Sequence, residues 1–202
     1  DFAIEDRRRS GTLESPAGFR AYARALSTLD FSTTPDGDSR VVTSRRILML
    51  KEILDRIEFP PYGEIPGDDE VAHGALNQWT IPGTSITIQR VENGPRVGEF
   101  LFSARTVERL HRNYLLVKHL PYKREGAFGI YEDYVRSERS FDYAEILVRN
   151  RLRPVDASSP RATLDGFLDS VNRAYAIVTE TNTALKTNPP TLTRDEAREA
   201  EK

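Results

Sequence analysis

The chain has 202 residues with 29 basic and 31 acidic side chains, a formal charge of −2. That sum gives no global attraction to nucleic acid or anionic lipid and leaves room for one ordinary domain or little more. The sequence has no cysteine, which excludes disulfides, thiolate metal sites and a cysteine nucleophile, and no run approaches the roughly eighteen apolar residues of a membrane helix.

Residues 1–14, with Arg7-Arg8-Arg9, have no signal-peptide shape and read as an N-terminal arm. A processed or truncated chain is the expectation, because Lys202 falls inside a charged, helix-forming run. "ESPAGFRAYARAL" then opens a helix, with Ser15 as N-cap, Pro16 at the first helical position, and Phe19, Tyr22, Ala23 and Leu26 on one face. "VTSRRILMLKEILDRIEF" is a second helix whose buried stripe is Ile47, Leu50, Ile53, Leu54 and Ile57, ended by Pro60-Pro61. Asp55, Glu58, Asp68 and Glu70 read as ordinary surface charges, and Asp68-Asp69-Glu70 as a solvated loop rather than a cation site.

From Thr84 the pattern alternates through Ile86, Ile88 and Val91, turns at Glu92-Asn93-Gly94-Pro95, and returns in "VGEFLFS". Such a β-hairpin puts Phe100 and Phe102 on one face and Glu99 and Leu101 on the other. Ser103 caps the next helix, with Val107, Leu110, Tyr114, Leu115 and Val117 directed inward. Residues 123–157, with Tyr131, Tyr134, Phe141, Tyr143 and the basic Arg149, Arg151 and Arg153, read as a connector with partial structure. "SSPRATLDGFLDSVNRAYAIV" repeats the Ser-Pro opening at Ser159-Pro160, with Leu164, Phe167, Leu168, Val171, Tyr175 and Val178 on one face. The expected organisation is therefore an arm (1–14), an α+β domain (15–122), a connector (123–157), and a helical segment (158–202), with the start of a second, truncated module as its alternative reading. Helices pack on a small antiparallel sheet in this α+β fold, and Thr193 caps a last helix.

Catalytic signatures are scarce. His111 and His119 are eight apart, too far for a helical metal pair, and His73 stands alone. No phosphate loop, nucleophile elbow or dinucleotide fingerprint occurs. Gly94-Pro95-Arg96-Val97-Gly98 lies between two strands, so a hairpin turn explains it better than an anion site. The chain reads as a non-enzyme without cofactor, metal or nucleic-acid partner. Trp79, the single tryptophan, anchors the hairpin base to the helices on this reading. Ligand or partner contact by Trp79, Arg96, Phe100 and Phe102 is the competing role.

"SPRATLDGFLDSV", "LKEILDR", Ile65-Pro66, "W.IP" at Trp79, "ITIQRVENGPRVGEFLFSARTVERL" and "LPY" at Leu120 to Tyr122 together resemble the N-terminal extramembrane region of bacterial small-conductance mechanosensitive channel family proteins. The resemblance covers most of residues 15–122 and again 158 to about 178, and is most specific over Arg90 to Val107. It departs at Ala17-Gly18-Phe19, and neither the pore helix nor the cytoplasmic β-domain of such channels is present. It implies a non-catalytic periplasmic domain attached to the inner membrane through a downstream region, acting in channel assembly or gating under osmotic stress. Its partners would be the rest of its own chain, sister subunits of a homo-oligomer, and other envelope proteins or lipid headgroups. A free periplasmic module binding a small ligand, peptide or cell-wall fragment is the alternative, and a carboxylate-based hydrolase, marked by a cleft with a perturbed carboxylate pair, is a third.

Overall fold

The computed structural model describes residues 16–33, 40–74, 76–124, 128–137 and 155–186. In chain order the elements are α1 (Pro16–Leu26), α2 (Arg40–Arg56), a 3₁₀ turn (Tyr62–Glu64), α3 (Asp68–His73), β1 (Gln78–Thr80), β2 (Thr87–Arg90), β3 (Phe100–Phe102), α4 (Ala104–Val117), α5 (Ile130–Ser137) and α6 (Pro160–Lys186). This is the expected α+β arrangement of helices around a small antiparallel sheet. The arm, Ser15, Phe141, Tyr143, the Arg149–Arg153 cluster and Thr193 lie outside the described residues.

The hairpin forms where the alternation places it, with shorter strands. Ile88 stands opposite Phe102 and Arg90 opposite Phe100, while Val91 and Glu99 extend the pairing toward the turn. Gly94 and Gly98 both have φ near +90°, which a residue with a Cβ rarely adopts. A third strand, β1, pairs antiparallel on the other side of β2, with Trp79 opposite Ile88. Three residues, followed by Ile81-Pro82, are too few for a period-two pattern to be read, so β1 carries no separate signal in the sequence.

β3 is not an edge. Phe102 N–H donates to Thr28 O at 2.9 Å, Asp30 N–H donates to Phe102 O at 3.0 Å, and Phe100 N–H donates to Ala157 O at 2.6 Å. The segment after α1 therefore lies parallel beside β3 through the Leu29–Phe102 bridge and satisfies polar groups that would otherwise be stranded indoors. It also explains why Leu101, on the face away from Phe100 and Phe102, is only 4 % exposed.

The helices start where their caps lie. Ser103 Oγ accepts from Thr106 N–H at 3.2 Å and Ser159 Oγ from Ala162 N–H at 3.3 Å. The predicted stripe of α2 is buried throughout. In α4, Val107, Leu110 and Tyr114 point inward, but Leu115 is 46 % exposed. It sits five residues after Leu110, about 140° around the helix, so it cannot share that face.

The proposed boundaries at 122 and 158 do not separate cores. Leu164, Phe167 and Val171 of α6 join the same cluster as Ile47 and Leu50 of α2, Ile88, Phe100 and Phe102. Phe167 meets Phe102 edge-on at 5.4 Å between ring centroids, and Thr163 Oγ1 donates to Phe100 O at 2.5 Å. The two Ser-Pro helices, α1 and α6, pack against each other. Within the connector, α5 packs on α2 with Ile130 buried and Tyr131 edge-on to Tyr114 at 4.9 Å. Residues 158–186 thus complete this domain rather than begin another.

Candidate functional site

An open cleft of about 1130 Å³ lies between the end of α1, the hairpin loop and the start of α4. Its floor is apolar, from Leu26, Leu29 and Leu101, and its rim carries Arg90, Arg105 and Arg109. The side chains of these three rim arginines have no ion-pair or hydrogen-bond partner among the described residues. Arg96 also lines it, but its Nε and Nη2 donate to Glu99 Oε2 at 2.8 and 2.5 Å. Both partners of that pair are about one-third exposed, so it organises the loop more than it stabilises the fold.

The four residues suggested by sequence do not converge. Arg96 stands at the cleft. Phe100 and Phe102 are 0 % exposed, filled in by the helices that the sheet packs against, and neither presents a ring face to a ligand. Trp79 is half-buried against the same core from β1 and is not part of the cleft lining.

A second, shallower cleft of about 460 Å³ gathers Asp68, Asp156, Asp165 and Asp169 beside Arg161. Asp68 is held below the ordinary carboxylate range by hydrogen bonds from Ser158 and then Ser159. Arg161 donates through Nε to Ile65 O at 2.8 Å and lies over the Tyr62 ring at 5.0 Å, tying the start of α6 to the 3₁₀ turn. No group of three metal-ligating side chains occurs among the described residues. Asp68, Asp69 and Glu70 are exposed in the first turn of α3, and His73, His111 and His119 are exposed as well.

The charged residues in the second half of α2 lie indoors. Asp55, expected at the surface, is 2 % exposed, and Lys51, Glu52 and Arg56 are buried beside it. Lys51 pairs with Asp55 and Arg56 with Glu52, each one helical turn apart. Tyr122 OH donates to Glu52 Oε2 at 2.7 Å and accepts from Arg56 Nη2 at 2.5 Å and from Gly129 N–H at 2.7 Å. Glu52 Oε1 accepts from Ile130 N–H at 2.7 Å. Arg124 donates to Leu54 O and stacks on Phe59 at 3.5 Å. Burial is the main cause raising both Asp55 and Tyr122 above their ordinary values, with Lys51 opposing it at Asp55 and Glu52 adding to it at Tyr122.

Glu52 and Asp55 line neither cleft. Their oxygens are engaged by fixed protein donors, so this carboxylate pair holds chain segments together instead of facing a substrate. The sequence did carry one signal for it: two i,i+4 ion pairs, offset by one residue and interleaved with Leu50, Ile53 and Leu54. Only the contacts from Tyr122, Lys123 and Arg124 and from Gly129 and Ile130 tell that they are indoors.

Comparison with protein-family models, curated proteins and solved structures returned no match.

Proposed function

We propose that this chain is a non-catalytic extramembrane domain of a small-conductance mechanosensitive channel family protein, periplasmic in location and acting in assembly or modulation of gating. The observation that supports the reading is that its two family-like blocks, far apart in sequence, form one body. Arg161 and Thr163, at the start of the second block, bond to Ile65 O and Phe100 O of the first, and Phe167 packs on Phe102. A unit assembled from both blocks suits a module carried as a whole beside a channel. Among the described residues no helix is long and apolar enough to cross a membrane.

Such a domain changes gating only through contacts that differ between closed and open states. Its partners on this reading are the rest of the channel chain and sister subunits. Removing residues 1–178 from the full channel, then measuring tension threshold and subunit number, tests it. A shift in either supports the role, whereas unchanged values for both overturn it. The ligand-module alternative draws less support, because Leu29 and Leu101 on the floor of the larger cleft are nearly inaccessible and the space between hairpin and helices is filled by Phe100 and Phe102.

A further inference from the structure

We infer that the outward face of α4 is a docking surface for an anionic lipid bilayer. The inward side of this helix is fixed by Thr106, Val107, Leu110, Asn113 and Tyr114, all buried. At 100° per residue the opposite side carries Arg105, Arg109, Arg112 and Leu116 within a narrow arc, flanked by Glu108 and Leu115. All six are exposed. The side chains of Arg105, Arg109 and Arg112 have no ion-pair or hydrogen-bond partner among the described residues, and Glu108 is the single acidic group on the helix. Lys118 adds positive charge just past the end of the helix.

The charge and the apolar surface are separated along the axis. The guanidiniums occupy the first two-thirds of the helix, and Leu115 and Leu116 follow, the latter 63 % exposed. Leu120, 40 % exposed, continues them in the turn after α4. From Arg105 to Leu116 the strip is about 16 Å long, too long for one small anion.

An acidic protein would also answer the charge, but the geometry favours lipid. Leu115 and Leu116 stand on a convex helix face and line neither cleft, so a protein partner would need a matching concavity. A bilayer surface accepts guanidiniums at its headgroups and leucines at the acyl boundary without one. Arg90, on the rim of the adjoining cleft, extends the basic edge beyond α4.

This inference concerns the chain's own surface and does not rest on the channel reading. The 202-residue chain is sedimented with vesicles of phosphatidylcholine alone and of phosphatidylcholine with phosphatidylglycerol. Uptake is expected only on the anionic vesicles, and it weakens as salt rises. Replacing Arg105, Arg109 and Arg112 together by Gln, a good helix former at exposed sites, lowers the partition coefficient on the order of 100-fold. A second variant, Leu115→Ser with Leu116→Ser, lowers it several-fold without changing the charge. Circular dichroism checks that each variant keeps its helix content. No uptake on anionic vesicles, uptake indifferent to both variants, or capture by an acidic polypeptide without vesicle binding would each overturn the inference.

Discussion

Glu52 Oε1 accepts the main-chain N–H of Ile130 at 2.7 Å, joining two residues 78 positions apart in sequence. Its second oxygen takes the Tyr122 hydroxyl and the Arg56 guanidinium, so one buried carboxylate anchors both Tyr122 and the start of α5 onto α2. Glu52→Ala leaves Arg56 buried without its counter-charge and should cost about 3–5 kcal/mol. Glu52→Gln, which can still accept from Ile130, should cost less. Urea unfolding measures the loss, and amide exchange at Gly129 and Ile130 should accelerate most in the Ala variant. A loss below about 1 kcal/mol for Glu52→Ala would show that the joint is held by other contacts.

Asp55 should give the fold an unusual pH dependence. Burial pushes its carboxyl above the ordinary 3.8, against the opposing pull of Lys51. An acid raised by folding binds more protons in the native state than in the unfolded one. Its stabilisation is therefore complete below the unfolded pKa and is lost as pH rises through the raised native value. Across that window, wild-type stability should fall with pH more steeply than that of Asp55→Asn. The difference in slope is at most about 1.4 kcal/mol per pH unit. Urea midpoints of both proteins from pH 3.5 upward, an assay range of about three pH units spanning the unfolded carboxylate value, provide the check; parallel curves would refute it.

What could be read from the residues was whatever is local. Ser103 and Ser159 cap their helices because the signal lies within four residues, and the α2 stripe is buried because periodicity alone dictates it. The hairpin followed from alternation and a glycine turn. What escaped depended on partners distant in sequence. Asp55 is indoors because Lys123 and Arg124 come in beside it, and Leu101 because Thr28 to Asp30 lie beside β3. The same reason dissolves the site suggested by Phe100, Phe102 and Trp79. Aromatics on a hairpin can line a pocket or fill a core, and the arrival of Phe167 from α6 decided for the core. The cleft rim around Arg90, Arg105 and Arg109 was equally hidden, since it joins a strand to a helix across the turn.

Gly166 should resist the substitution that usually strengthens a helix. Alanine in place of an interior helical glycine normally gains up to about 1 kcal/mol. Here a Cβ at 166 would run into Val155 Cγ1, and Val155 is itself buried. Gly166→Ala should instead lose about 1–3 kcal/mol through overpacking. Adding Val155→Ala should recover part of that loss. Thermal unfolding of the two single variants and the double variant gives the coupling directly, and simple additivity would contradict the clash.

Ser103 joins the hairpin to α4 and should matter beyond its size. Its Oγ accepts from Thr106 N–H at 3.2 Å, while Thr106 Oγ1 in turn accepts from Thr87 N–H at 2.9 Å. Ser103→Ala should cost about 1 kcal/mol for the cap, and Thr106→Val should cost at least as much because it strands the Thr87 amide. The double variant should fall short of the sum, since both act through one turn. Denaturant unfolding checks this cycle.

Phe167→Ala tests whether α6 belongs to the same cooperative unit as the sheet. The ring is 0 % exposed and packs on Phe102, so its removal should cost about 3–5 kcal/mol. Because the core is shared, Trp79 fluorescence, reporting on β1, and helical circular dichroism should lose stability together, with midpoints that coincide in both wild type and variant. If residues from 158 onward formed a separate module, the substitution would move the helical signal and leave the Trp79 transition where it was. The contact between Phe167 and Phe102, with Thr163 bonded to Phe100 O, predicts that both transitions move by the same amount.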